Sequence, residues 1–151
     1  IGAVVSGGGT LLAGVEAALE AIPNNSDCYK AILFAQSQTA LAEGGAVIRE
    51  RYQHLNVVHT VNNLALVIWA LLRNKDDFSA AIGDVVSEGL DTDCNGATVG
   101  ASWALQGQPI PSHWLTPWDG VVGVSLAGQA VLNLEDLVTR TLAVEASLGT
   151  L

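Results

Sequence analysis

Basic side chains are scarce: 6 Lys and Arg stand against 15 Asp and Glu in 151 residues, a formal net charge of -9. Binding a nucleic-acid backbone takes clustered cations, and these six are scattered, so nucleic acid is disfavoured as a partner. Methionine is missing altogether, position 1 included, which points to a start other than a native initiator, or to its removal, and so to a truncated or processed product. Cysteine is limited to Cys28 and Cys94, in neither a disulfide-framework nor a zinc-site spacing; this suits a reducing cytoplasm and leaves a single disulfide open. A clean membrane or signal segment is also wanting. The apolar stretch from Ile1 to Ile22 is broken by Glu16 and Glu20 and has no basic region before it, so it reads as core helix. Only 14% of the residues are charged and half are apolar, which excludes a disordered chain and points to surface that faces other protein, as a missing partner segment would explain.

What is present reads as helix. The length suits one domain with its own core, so a single helical domain over 1–151 is expected. Ser6-Gly7-Gly8-Gly9 reads as a loop ending in Thr10 as N-cap, followed by a helix to about Ala21. Pro23-Asn24-Asn25-Ser26 stops that helix and caps the next, expected to reach roughly Ala42; a further stretch spans Ala46 to Gln53. Val61, Leu64, Ala65, Ile68, Leu71 and Leu72 form an apolar stripe that predicts a central helix. Asp76 or Asp77 caps the following one, which ends at Gly89. From Cys94 to Leu105 small residues dominate, with Gly96 and Gly100 one turn apart, and a helix deep inside a bundle is expected. Pro109, Pro111 and Pro117 predict a non-helical crossing; Val121 to Val131 fits either a short strand or irregular chain; Leu134 to Leu148 supplies a last helix.

Chemistry concentrates in Asp91-Thr92-Asp93-Cys94-Asn95-Gly96, where two carboxylates at i and i+2 meet the start of a helix. Two readings of the pair stay open. The carboxylates converge on a hard cation, which prefers oxygen ligands, or they cap the helix and complement its dipole. Elsewhere the signals are bland. The Gly7-Gly8-Gly9 loop lacks the lysine of a phosphate-cradling loop and reads as a turn, while His54, His59 and His113 do not cluster in sequence. Trp103, Trp114 and Trp118 suit core packing or stacking on an adenine. Asn62 and Asn63 need amide partners inside an apolar helix, with capping the simplest account.

The string from Gly89 to Gly100 resembles the C-terminal metal motif of the ADP-ribosylglycohydrolase family, in which Asp-x-Asp-Thr opens a buried helix. Asn62-Asn63, Asp77-Phe78, Gly100, Ile110-Pro111 with Trp114, and Leu137 to Arg140-Thr141 follow that family in the same order, more closely after residue 55 than before it. The resemblance implies an all-α, multi-helix orthogonal bundle, of which this chain is the C-terminal part. It also implies hydrolysis of the N- or O-glycosidic bond to ADP-ribose on an ADP-ribosylated substrate, with two Mg²⁺ or Mn²⁺ ions in the complete site. By that resemblance Asp91 and Asp93 are metal ligands and Thr92 lies between them. Cys94 falls where the family carries a Thr hydroxyl ligand, and a softer thiol binds hard cations poorly, which puts that coordination position in question. The family's remaining ligands belong to an N-terminal Thr-Asp-Asp motif, and no such triplet occurs here; Lys75-Asp76-Asp77 suits capping instead. The isolated chain is therefore expected to be inactive and to need an N-terminal half. The rival expectation is a non-catalytic helical module covered by a second copy as a homodimer.

Overall fold

A computed structural model describes residues 1–149. The chain divides into two compact units, residues 1–109 and 110–151. The first unit is entirely helical: α1 (Gly2–Ser6), α2 (Leu11–Ala21), α3 (Asp27–Gln38), α4 (Gly44–Arg51), α5 (Thr60–Arg73), α6 (Phe78–Ser87) and α7 (Thr92–Ala104). The second carries the single turn α8 (Ser112–Leu115), a 3-10 turn at Thr116–Trp118, the hairpin β1 (Val121–Leu126) and β2 (Gln129–Asn133), and α9 (Leu134–Leu148). The all-α fold class holds, the hairpin being the sole sheet among the described residues. No helix among them is long and apolar enough to cross a membrane.

Capping chemistry sets most of the boundaries. Thr10, Ser26 and Asp77 each accept a backbone N–H three residues on, from Ala13, Tyr29 and Ala80, satisfying donors that a helix start leaves unpaired. Gly89, at φ 77°, takes up the left-handed conformation that follows α6. Ile1–Ile22 is two helices rather than one, because the Gly7-Gly8-Gly9 turn, with Gly8 at φ 91°, intervenes. α3 stops at Gln38, short of Ala42, where Thr39 hydroxyl and backbone N–H both bond back to the Gln36 carbonyl. The proline-rich stretch is not free of helix: Pro111 precedes the turn Ser112–Leu115, as suits a residue with φ already near helical values, and Pro117 sits in the 3-10 turn. The ambiguous stretch after Val121 is an antiparallel hairpin, pairing Val121 with Asn133 and Gly123 with Val131, turned at Gly128 with φ 76°.

α5 is the axis of the first unit and touches α2, α3, α4, α6 and α7. Its Ala65 to Leu71 run is buried throughout, so the apolar stripe read from the sequence is widened to nearly the whole circumference. α7 departs from expectation. Only Asn95, Val99 and Trp103 are buried on it, so it lies on the edge of the unit with one face inward. Its glycines face side chains of α6, not another backbone: a methyl at Gly100 would meet Ile82 Cδ1 at 3.5 Å. The close backbone approach lies elsewhere, at Gly44, where a Cβ would stand 2.5 Å from both the Gln38 carbonyl oxygen and Trp69 Nε1.

Candidate metal centre

The turn from α6 into α7 carries the Asp91 cluster. Gly89 and Leu90 are both left-handed, at φ 77° and 61°. For leucine this conformation is strained by about 1–2 kcal/mol, because Cβ crowds the following carbonyl. Leu90 therefore marks a point where packing overrides local preference, directly before Asp91.

Asp91 occupies the N-cap position of α7, yet its side chain makes no capping hydrogen bond. Its backbone N–H instead donates to Asn63 Oδ1 at 3.2 Å. Asn95, one turn into α7, donates to the same oxygen at 2.7 Å. Asn63 spends its own amide N–H groups on the carbonyls of Val57 and His59 at 2.8 and 2.9 Å. Neighbouring Asn62 donates to the Asn56 carbonyl at 3.0 Å. A buried asparagine pair on α5 thus pins both the 56–59 loop and the start of α7, and the capping role expected for it falls to His59, whose Nδ1 accepts from Val61 N–H. Asn95, part of the string singled out in the sequence, was given no role there; its one signal was a polar residue on the inward side of a small-residue helix.

The carboxylates of Asp91 and Asp93 and the sulfur of Cys94 offer ligand atoms that all lie within 4.8 Å of one another. Asp91 is half-buried, and Asp93 and Cys94 are exposed. The Asp91 carboxylate accepts from the Cys94 thiol and, as a neighbouring negative charge, adds to that effect, so the thiol's pKa is held above its ordinary value; Asp93 contributes less. Sulfur is a soft donor and matches a hard cation poorly. Both cysteines are free.

Beside the cluster, Leu90 and Asn62 belong to the wall of a cleft of about 420 Å³ whose other side is formed by Ala46, Arg49, Glu50 and Tyr52. Arg49 pairs with Glu88 at 3.6 Å. Burial raises the Glu88 pKa, Arg49 counteracts this, and Asp84 and Glu43 add to it.

The other residues weighed from sequence lie apart. Trp103 is in the core, its indole N–H donating to the Asn74 carbonyl at 3.2 Å and its ring edge-on to Phe78, so it is not available for stacking on a base. Trp118 is exposed and lines an apolar cavity of about 480 Å³ in the second unit. His113 lies near Trp114, also in that unit. His54 and His59, unclustered in sequence, share one cavity of the first unit. Residues 1–146 match the family model of ADP-ribosylglycohydrolase. No curated protein and no solved structure matches the chain.

Proposed function

Since the chain belongs to the ADP-ribosylglycohydrolase family, we propose that Asp91 and Asp93 supply one half of a divalent-metal site for hydrolysis of the glycosidic bond to ADP-ribose. The observation that carries this reading is an Asp91 side chain that stands at a helix start without capping it and converges with Asp93. Two carboxylates suit the oxygen preference of Mg²⁺ or Mn²⁺, whereas the softer sulfur of Cys94 suits it poorly, so the reading rests on the two aspartates. Such ions, when bound, supply Lewis-acid polarisation and an activated water. The chain's own contribution is positioning. Asn63 fixes the Asp91 backbone and Asn95 together, and Arg49, paired with Glu88, lines the adjoining cleft, where exchange of that partner for an anionic substrate such as ADP-ribose or an ADP-ribosylated acceptor is open to it.

These residues contain no Thr-Asp-Asp triplet, and two-metal chemistry needs further ligands to place both ions and the water. The chain alone is therefore inactive and gains activity only with a partner segment that bears that motif. Calorimetric titration of Mg²⁺ into the chain and into an Asp91→Ala, Asp93→Ala double variant tests the metal reading: heat is expected only from the former, and identical heats would remove it. Release of ADP-ribose by the isolated chain would overturn the claim of inactivity.

A second reading, a non-catalytic helical module that self-associates, draws on α9, where Leu134, Val138, Leu142, Val144 and Leu148 are all exposed. A stable dimer in light scattering, indifferent to Mg²⁺, would favour it.

A further inference from the structure

On this acidic chain one cavity of the first unit gathers cations. It measures about 260 Å³ and is lined by Lys30 and Asp27 from the start of α3, Arg51 and Tyr52 from the end of α4, and His54, Leu55, His59 and Val61 around the start of α5. That volume is below the roughly 300–1,000 Å³ of sites for drug-sized ligands, so it suits a small group. Tyr52 and Leu55 also belong to the wall of the cleft beside Asp91, whereas none of the cationic or imidazole groups does.

Three features equip the cavity for an oxyanion. First, Lys30, Arg49, Arg73 and Lys75 each face a carboxylate, but among the described residues none pairs with Arg51. Its guanidinium lies over the Phe34 ring at 4.2 Å and near that of Tyr52 at 5.7 Å. Stacking holds the planar group in place without using its N–H donors, which is how arginine is made ready for a planar or tetrahedral anion. Second, His59 Nδ1 accepts from Val61 N–H at 3.2 Å, so the neutral ring carries its proton on Nε2 as a fixed donor. Third, Lys30 is tied only to exposed Asp27, at 3.4 Å, a weak pair from which the ammonium can turn to a ligand. Two full cations against the one carboxylate of Asp27 leave the lining net positive even with both imidazoles neutral.

We propose that the cavity formed by Lys30, Arg51, His54 and His59 binds a small phosphate group, free or as a phosphomonoester, independently of the Asp91 cluster. The protein's three histidines make the test direct. Inorganic phosphate is titrated into the full chain at fixed pH and ionic strength, with EDTA present and chloride as control, while the imidazole proton resonances are followed. His54 and His59 are expected to shift saturably with phosphate and not with chloride. Arg51→Gln should raise the midpoint about tenfold, the scale of one charge-assisted hydrogen bond lost. Lys30→Gln, on an exposed side chain, should raise it severalfold and serves where loss of the Phe34 stack unfolds the first variant. The Asp91→Ala, Asp93→Ala double variant should keep the wild-type midpoint. Glycerol phosphate in a parallel titration separates the sources, since tighter binding than inorganic phosphate marks an ester and equal or weaker binding a free ion. Unmoved His54 and His59 resonances, an equal response to chloride, a midpoint indifferent to Lys30→Gln, or loss of binding in the aspartate variant would each overturn the proposal.

Discussion

Asn63 shows how a single buried amide organises the Asp91 cluster. Its Oδ1 takes hydrogen bonds from a backbone 28 residues away and a side chain 32 residues away. Replacing it by alanine leaves the Asn95 amide and the Asp91 N–H without this acceptor, and the loss is expected to be about 2–3 kcal/mol, since a buried unsatisfied donor costs roughly 1–3 kcal/mol. A urea melt measures it; a change under 0.5 kcal/mol would mean that water replaces the amide. Glu88 behaves differently. Its folded pKa lies above the ordinary glutamate value, so the native state holds the proton more tightly than the unfolded chain. Stability from this group is therefore greatest below pH 4.5 and declines as pH rises through the folded pKa. Glu88→Gln should flatten that decline, seen as a smaller difference between chemical melts at acid and neutral pH; an unchanged or steeper profile would show that Arg49 outweighs the burial.

Among the elements, α4 and α7 both carry paired glycines, and the two pairs do opposite jobs. Gly44 sits against the Gln38 carbonyl and Trp69, where a Cβ has no room, whereas at Gly45 a Cβ would meet only the end of the Glu88 side chain, so the close approach of α4 to its neighbours depends on Gly44. In α7, a methyl at Gly100 meets Ile82 Cδ1 at an ordinary 3.5 Å. Gly44→Ala is accordingly expected to destabilise by about 1–3 kcal/mol through overpacking. Gly100→Ala is expected to stabilise by about 0.5–1 kcal/mol, the helix-propensity gain of alanine over glycine. Thermal melts of the two variants should move in opposite directions, and parallel shifts would refute this division of roles. The spacing of Gly96 and Gly100 was visible in the sequence. Its partner was not, because small residues at helical spacing are compatible with a neighbouring backbone or with a branched side chain, and only the docking of α6 chooses the second.

For the molecule as a whole, net charge and local charge diverge. The chain carries -9 overall, yet the cavity around Arg51 is net positive and the Asp91 cluster is net negative. Exposed apolar side chains on α9 add a third kind of surface. If those side chains meet a second copy, light scattering should give a dimer mass that persists in high salt, because apolar association is not screened. A monomer at all concentrations would leave the self-associating reading without support.

Local signals reached far in this protein. Caps at Thr10, Ser26 and Asp77, the stripe of α5 and the span of α9 are settled within a turn or two of chain, by side chains that bond their own backbone and by apolar residues at helical period. The Asp91-Thr92-Asp93 string, and with it the family, was legible for the same reason, since its residues are contiguous. Tertiary structure alone decided that Asn63 holds Asp91 and Asn95, that Trp103 is buried, and that His54, His59, Lys30 and Arg51 share a cavity. Those pairings join groups from separate helices, and which helices touch depends on the fit of whole apolar faces, a property that no short stretch of chain encodes.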